Sequence, residues 1–145
     1  MAANREIGIV AEIERQRSRY AYECVENVAN NHPYIKENYK AYVRKIPMLI
    51  KVNGLGGALA FVYSKKKEKT DDAGYAYHLI YDQTDKWLKG YHIKNIFPQV
   101  NAELVKKIIN LESDKYRVVT TELLALYKWM GRFAEGMLKG DEKDA

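Results

Sequence analysis

The side chains that could do chemistry are few, and their spacing does not suit it. His32, His78 and His92 have no partners at metal-ligand spacing, and Cys24 falls in mid-helix on an apolar face. Asp71-Asp72 sits among lysines in a polar stretch that reads as a solvated loop. Gly54-Leu55-Gly56-Gly57 invites comparison with a phosphate-binding loop. The lysine–hydroxyl pair is missing, however, and a helix precedes it where a strand is required. Close helix packing is the better account. There is no HExxH, no GxSxG and no nucleophile beside a base, so no catalytic residues, metal site or cofactor are expected.

What the chain does offer is cationic charge. Residues 36–69 carry nine basic groups (Lys36, Lys40, Arg44, Lys45, Lys51, Lys65, Lys66, Lys67, Lys69) against two acidic ones (Glu37, Glu68). That local excess is larger than the net +5 of the whole chain. It suits a polyanionic partner, and it equally suits a surface that keeps the protein dissolved. A second basic row, Arg117, Lys128 and Arg132, has steps of 11 and 4 along one helix face. It could track a phosphate backbone or pair locally with Glu135. The twelve tyrosines could stack on unpaired bases. Tyr20, Tyr39, Tyr77 and Tyr116 fall at core spacing, which favours packing.

Helices must position these groups. Residues 5–30 read as one long helix with Ile9, Ile13, Tyr20, Cys24 and Val28 on a stripe. Arg17 interrupts that stripe, either reaching out to water or held at an interface for phosphate or carboxylate. Asn30-Asn31-His32-Pro33 ends the helix. A second helix, from about Tyr34, is kinked or split at Pro47 and stops at Asn53-Gly54. The uncharged run Leu55–Tyr63 then reads as a helix enclosed nearly all round. That leaves no polar face for a DNA major groove and argues against a helix-turn-helix reader.

Lys65–Gly74 is a polar loop, Tyr75–Leu88 a helix with Tyr77, Ile80, Thr84 and Trp87 inward, and Gly90–Pro98 irregular. Asn101 is placed to cap a helix bearing Leu104, Ile108 and Leu111. Ser113-Asp114 is placed to cap the last helix. Its line of Tyr116, Val119, Leu123, Leu126, Met130, Phe133 and Met137 is a sustained heptad pattern that demands a helical partner.

The expected fold is all-α: a single-domain bundle of about six helices over residues 1–140, long at both ends, with a polar frayed tail at 141–145. At 145 residues the chain can bury a core without staples. A lone cysteine forms no internal disulfide and suits a reducing compartment. Nothing resembles a signal peptide, and the longest uncharged runs fall well short of the roughly 20 residues a membrane crossing needs. A cytoplasmic protein with no membrane partner is expected.

Two stretches together resemble a known family. Lys45-Ile46-Pro47-Met48 leading into Asn53-Gly54-Leu55-Gly56-Gly57-Ala58-Leu59-Ala60-Phe61 and Ser64-Lys65 is one. The other is Asp114-Lys115-Tyr116-Arg117 through Trp129-Met130-Gly131-Arg132-Phe133-Ala134-Glu135, and Arg17 with Tyr20-Ala21-Tyr22-Glu23 also fits. They are similar to the small α-helical subunit of the type III-B CRISPR effector, the RAMP-module (Cmr) complex. The structural signature is Pro47, Asn53, Gly54, Gly56, Trp129 and Phe133. The family more often has glutamine where this chain has Gly57, and a basic residue where it has Gly131, so contacts of those side chains are not carried over.

The resemblance implies a non-catalytic subunit in antiviral defence. Its copies would stack as an inner filament against the backbone and large subunits, helping to hold guide RNA and target RNA. The residues it favours for sequence-independent phosphate contact are Arg17, Lys45, Lys51, Lys65 and Arg132. The rival readings are a protein-interaction module that never touches nucleic acid and, less favoured, a helical DNA-binding regulator.

Overall fold

In the computed structural model we describe residues 2–90 and 97–140, with side chains from residue 8 onward. His92, most of the irregular stretch expected at Gly90–Pro98 and the tail 141–145 lie outside them. Helix α1 spans Ala2–Asn31. Pro33 then keeps His32 out of helical geometry, at φ −136 and ψ 53, and a 3-10 turn, Pro33–Ile35, redirects the chain. Next come α2 (Lys36–Lys65), α3 (Gly74–Leu88), α4 (Leu104–Ile109) and α5 (Ser113–Met137). No strand occurs among the described residues.

Helix α2 corrects one expectation. It passes through Pro47 without a split, and its non-helical residue is Gly54, at φ 77 and ψ 167. Proline deprives the Val43 carbonyl of its helical donor. Burial of Val43, Ile46 and Ile50 around it, at about 1.5–3 kcal/mol for each large apolar side chain, offsets that loss. Counting the two arms of α2 separately gives the six helical segments expected. By length and composition alone Pro33–Lys65 could cross a membrane, but Gly54 interrupts it and its apolar side belongs to the core.

The most enclosed helix is α3, not the uncharged run at 55–63. Ala76, Tyr77, Leu79, Ile80, Tyr81, Gln83, Thr84, Trp87 and Leu88 are all buried, whereas Gly57, Ala60 and Tyr63 of the uncharged run are exposed. Lack of charge does not by itself bury a face. Two polar residues of α3 go into the core because tyrosines serve them. The Tyr39 hydroxyl donates to Gln83 Oε1 at 2.7 Å and the Tyr20 hydroxyl to the Gln83 carbonyl at 2.6 Å. Thr84 and Tyr127 share a bond of 2.8 Å. Much of the tyrosine content is thereby explained as packing with a polar tip.

Helix α5 lies between α1 and α2. Its inward stripe holds Val119, Leu123, Leu126 and Met130 from the heptad line and is widened by Tyr127 and Ala134. Among the described side chains of α1, the buried ones lie in its second half. Ala21, Cys24, Val25 and Val28 are buried, while Ile9 and Val10 stay 54% and 64% exposed. Neither expected cap forms: α4 follows Glu103 and α5 follows Glu112, with no side-chain cap bond at either. At α4 the orphan donors of the first turn find another acceptor, as the Val105 amide donates to the Tyr81 hydroxyl at 3.1 Å.

Candidate nucleic-acid interface

The break at Gly54 builds the site. Its φ and ψ are accessible essentially to glycine alone, and the neighbouring glycines accommodate what the break brings near. A Cβ on Gly56 would lie 3.2 Å from Ile109 Cγ2, and one on Gly57 3.0 Å from the Asn53 Cβ. The close neighbours are thus side chains of α4, α5 and α2 itself rather than the backbone of a closely packed helix. The restarted helix has an orphan donor at Gly56, whose amide donates to the Tyr116 hydroxyl at 2.8 Å. Asn53 is exposed beside the break.

In an unbroken helix the 16 steps from Lys45 to Phe61 would span about 24 Å. Here the Lys45 ammonium lies 4.9 Å from the centre of the Phe61 ring, so the break folds the two arms toward one another. Lys65 reaches the same ring at 5.8 Å. Phe61 packs edge-on against Tyr77, which stacks on Tyr42 at 3.8 Å. Alongside, the Lys66 ammonium sits 5.3 Å from the Tyr63 ring and 5.5 Å from the Tyr81 ring. Cation–π contacts of this kind are worth about 0.5–1 kcal/mol at exposed sites, enough to bias where the ammoniums rest. Among the described residues no carboxylate pairs with Lys45, Lys51, Lys65 or Lys66. Their charge is left for an outside anion.

The other favoured residues separate. Lys51 is exposed on the first arm of α2, two helical turns beyond Arg44. Arg17 is not available as a free cation. Its Nε and Nη2 donate to Glu122 at 2.6 and 3.0 Å, and both side chains are largely buried. The hydrogen bonding from Glu122 holds the Arg17 pKa above its ordinary value. Arg132 is exposed on α5 and lines a cleft against α2 together with Arg44, Pro47, Lys128 and Gly131. Of the signature residues, Trp129 stacks on Phe133 at 5.6 Å and Phe133 meets Tyr22 edge-on at 5.3 Å, which packs α5 against α1.

Sequence reasoning missed Phe61, Tyr63 and Lys66 as members of the site. The signal present was Lys65-Lys66 next to an uncharged aromatic run, but only the break shows that Lys45 joins them. Among the described residues no group of His, Cys, Asp or Glu could hold a metal ion. Burial pushes the Cys24 thiol up to about 12, so it is protonated and a poor nucleophile.

The family model described as CRISPR-associated protein (Cas_Cmr5) matches residues 13–137. The structure is similar to the X-ray crystal structure of a CRISPR-associated Cmr5 family protein from Thermus thermophilus. The TM-score is 0.66 at 26% sequence identity, covering 87% of this chain and 96% of that one.

Proposed function

The chain belongs to the Cas_Cmr5 family of CRISPR-associated proteins, small subunits of type III-B Cmr complexes, and on that premise we propose that it holds RNA within such a complex without catalysing its cleavage. Copies stack as an inner filament against the backbone and large subunits in the cytoplasm. Exposed lysines contact the phosphates of guide and target RNA. Sequence specificity belongs to pairing between the two RNAs, so the subunit needs only positive charge in fixed places.

The observation that carries this reading is the meeting of Lys45 and Lys65 over Phe61, with Lys66 beside them and, among the described residues, no carboxylate paired to any of the three. Stacking requires a heterologous contact that does not close. The exposed Ile9 and Val10 of α1 supply apolar surface for one side of it. Arg17 is better assigned to holding α1 on α5 than to phosphate.

The test is charge reversal at Lys45 with Lys65, and separately at Lys45 with Lys51, in the assembled complex. Each pair should weaken RNA binding across sequences and reduce the salt slope by about one per lysine. Affinity and slope equal to wild type would remove the patch and favour the purely protein-binding module. Co-purification of this chain with RAMP-type proteins and a short guide RNA tests membership of the assembly itself.

A further inference from the structure

The cleft between α2 and α5 has features that stability does not explain. Gly131 lies inside α5, where glycine is disfavoured relative to alanine. Packing does not demand it, because a Cβ there would meet nothing nearer than Arg44 Cγ and Val43 Cγ1, both at 3.9 Å. Facing it, Pro47 sits inside α2, another residue that helices disfavour. Between them is a cleft of about 470 Å³ lined also by Arg44, Lys128, Arg132 and Glu135.

The charges have a pattern. Lys128, Arg132 and Glu135 recur at helical spacing along one face of α5. Glu135 forms a salt bridge to Arg44 across the cleft, and both side chains are about half exposed. A pair so exposed adds little stability. Lys128 and Arg132 have no carboxylate partner among the described residues. A carboxylate fixed beside two free cations repels a bare phosphate, yet it is a strong acceptor for a hydroxyl adjoining one. Phosphodiester and neighbouring hydroxyl together are the chemistry of a ribonucleotide, and the 2′-hydroxyl is what distinguishes RNA from DNA.

We propose that the α2–α5 cleft is a ribonucleotide subsite in which Lys128 and Arg132 bind the phosphate and Glu135, oriented by Arg44, accepts the 2′-hydroxyl. It rests on the reading of the chain as RNA-binding but uses a surface distinct from the Lys45–Phe61–Lys65 patch.

The test is titration of the isotope-labelled full chain with a ribo-dinucleotide, ApA, and its 2′-deoxy counterpart, following the backbone amides of Gly131 and Arg132 by NMR. The ribo form should move these signals at about fivefold lower concentration, the effect of one hydrogen bond. E135A should lose that preference while binding the deoxy form more tightly, which loss of a merely structural side chain would not produce. G131L, which fills the cleft and favours the helix, should melt no lower than wild type and abolish both responses. Equal response to the two forms makes the cleft an anion site only, and no response at Gly131 and Arg132 removes it altogether. Either result overturns the proposal, while the phosphate-binding reading is decided separately by K45E/K65E in the complex.

Discussion

The hydroxyl of Tyr116, on α5, accepts the amide hydrogen of Gly56 at 2.8 Å, so the last helix of the chain closes the break in the second. The same oxygen lies 3.3 Å from where a Cβ on Gly54 would stand. The bend that sets Lys45 and Lys65 over one ring is therefore held from outside α2. Y116F keeps the ring but leaves a half-buried amide without its acceptor. It should cost about 1–2 kcal/mol in urea unfolding and weaken RNA binding by the complex. G54A, at φ 77 and ψ 167, should cost about 1–3 kcal/mol.

Arg17 and Glu122 join α1 to α5 through two hydrogen bonds in a largely buried setting. Truncating one partner strands the other charge. E122A should lower stability by about 3 kcal/mol, whereas the double replacement R17M/E122L should fall within about 1 kcal/mol of wild type or above it. Thermal melts of E122A, R17M and the double check this. A double no better than the worse single would mean the pair is not the link between these helices.

The pH dependence follows from burial. Desolvation holds Cys24 protonated up to about 12, against 9.0 for an ordinary thiol. Above pH 9 the unfolded chain therefore releases a proton that the folded chain keeps. The stability Cys24 contributes is complete below that value and is lost as pH rises toward 12, at up to about 1.4 kcal/mol per pH unit. Tyr20, Tyr39 and Tyr127, whose phenols burial pushes well above 10.0, add losses of the same sign from pH 10 upward. On the acid side, burial lowers the His32 pKa below 6.5. The unfolded state takes that proton first, and stability declines as pH falls through this range. Urea midpoints should fall steadily above pH 9, and C24A should flatten the first part of the decline.

The elements legible in the sequence were those fixed by local rules. Asn30 to Pro33 ended α1 where expected, Asn53-Gly54 marked the break, and the spacing of Tyr77, Ile80, Thr84 and Trp87 gave the inward face of α3. Features that depend on distant partners were not legible. Spacing put Arg17 on an apolar line but could not show Glu122, 105 residues away, waiting for it. It showed Lys45 and Lys65 as basic residues but not that a bend places them on the same phenylalanine. Helix ends also escaped, because Tyr81 serves the first turn of α4 from another helix and makes a cap at Asn101 unnecessary.

The bond between Tyr39 and Gln83 tests whether the polar seam in the core stabilises the fold or only specifies it. Tyr39 is fully buried and its hydroxyl donates to Gln83 Oε1 at 2.7 Å. In Q83L that hydroxyl has no acceptor and cannot reach water, which should cost about 1–3 kcal/mol. Y39F alone strips Gln83 Oε1 of its donor but should cost less, because the side chain stays anchored by its amide nitrogen, which keeps its contact to the Cys24 carbonyl at 3.5 Å. Combining the two removes both orphaned groups, so Y39F/Q83L should be more stable than Q83L. Calorimetric melts of the three variants give the coupling directly. Strict additivity would show that the hydroxyl finds another acceptor when Gln83 is lost, and the seam would then be a matter of shape rather than of paired polar groups.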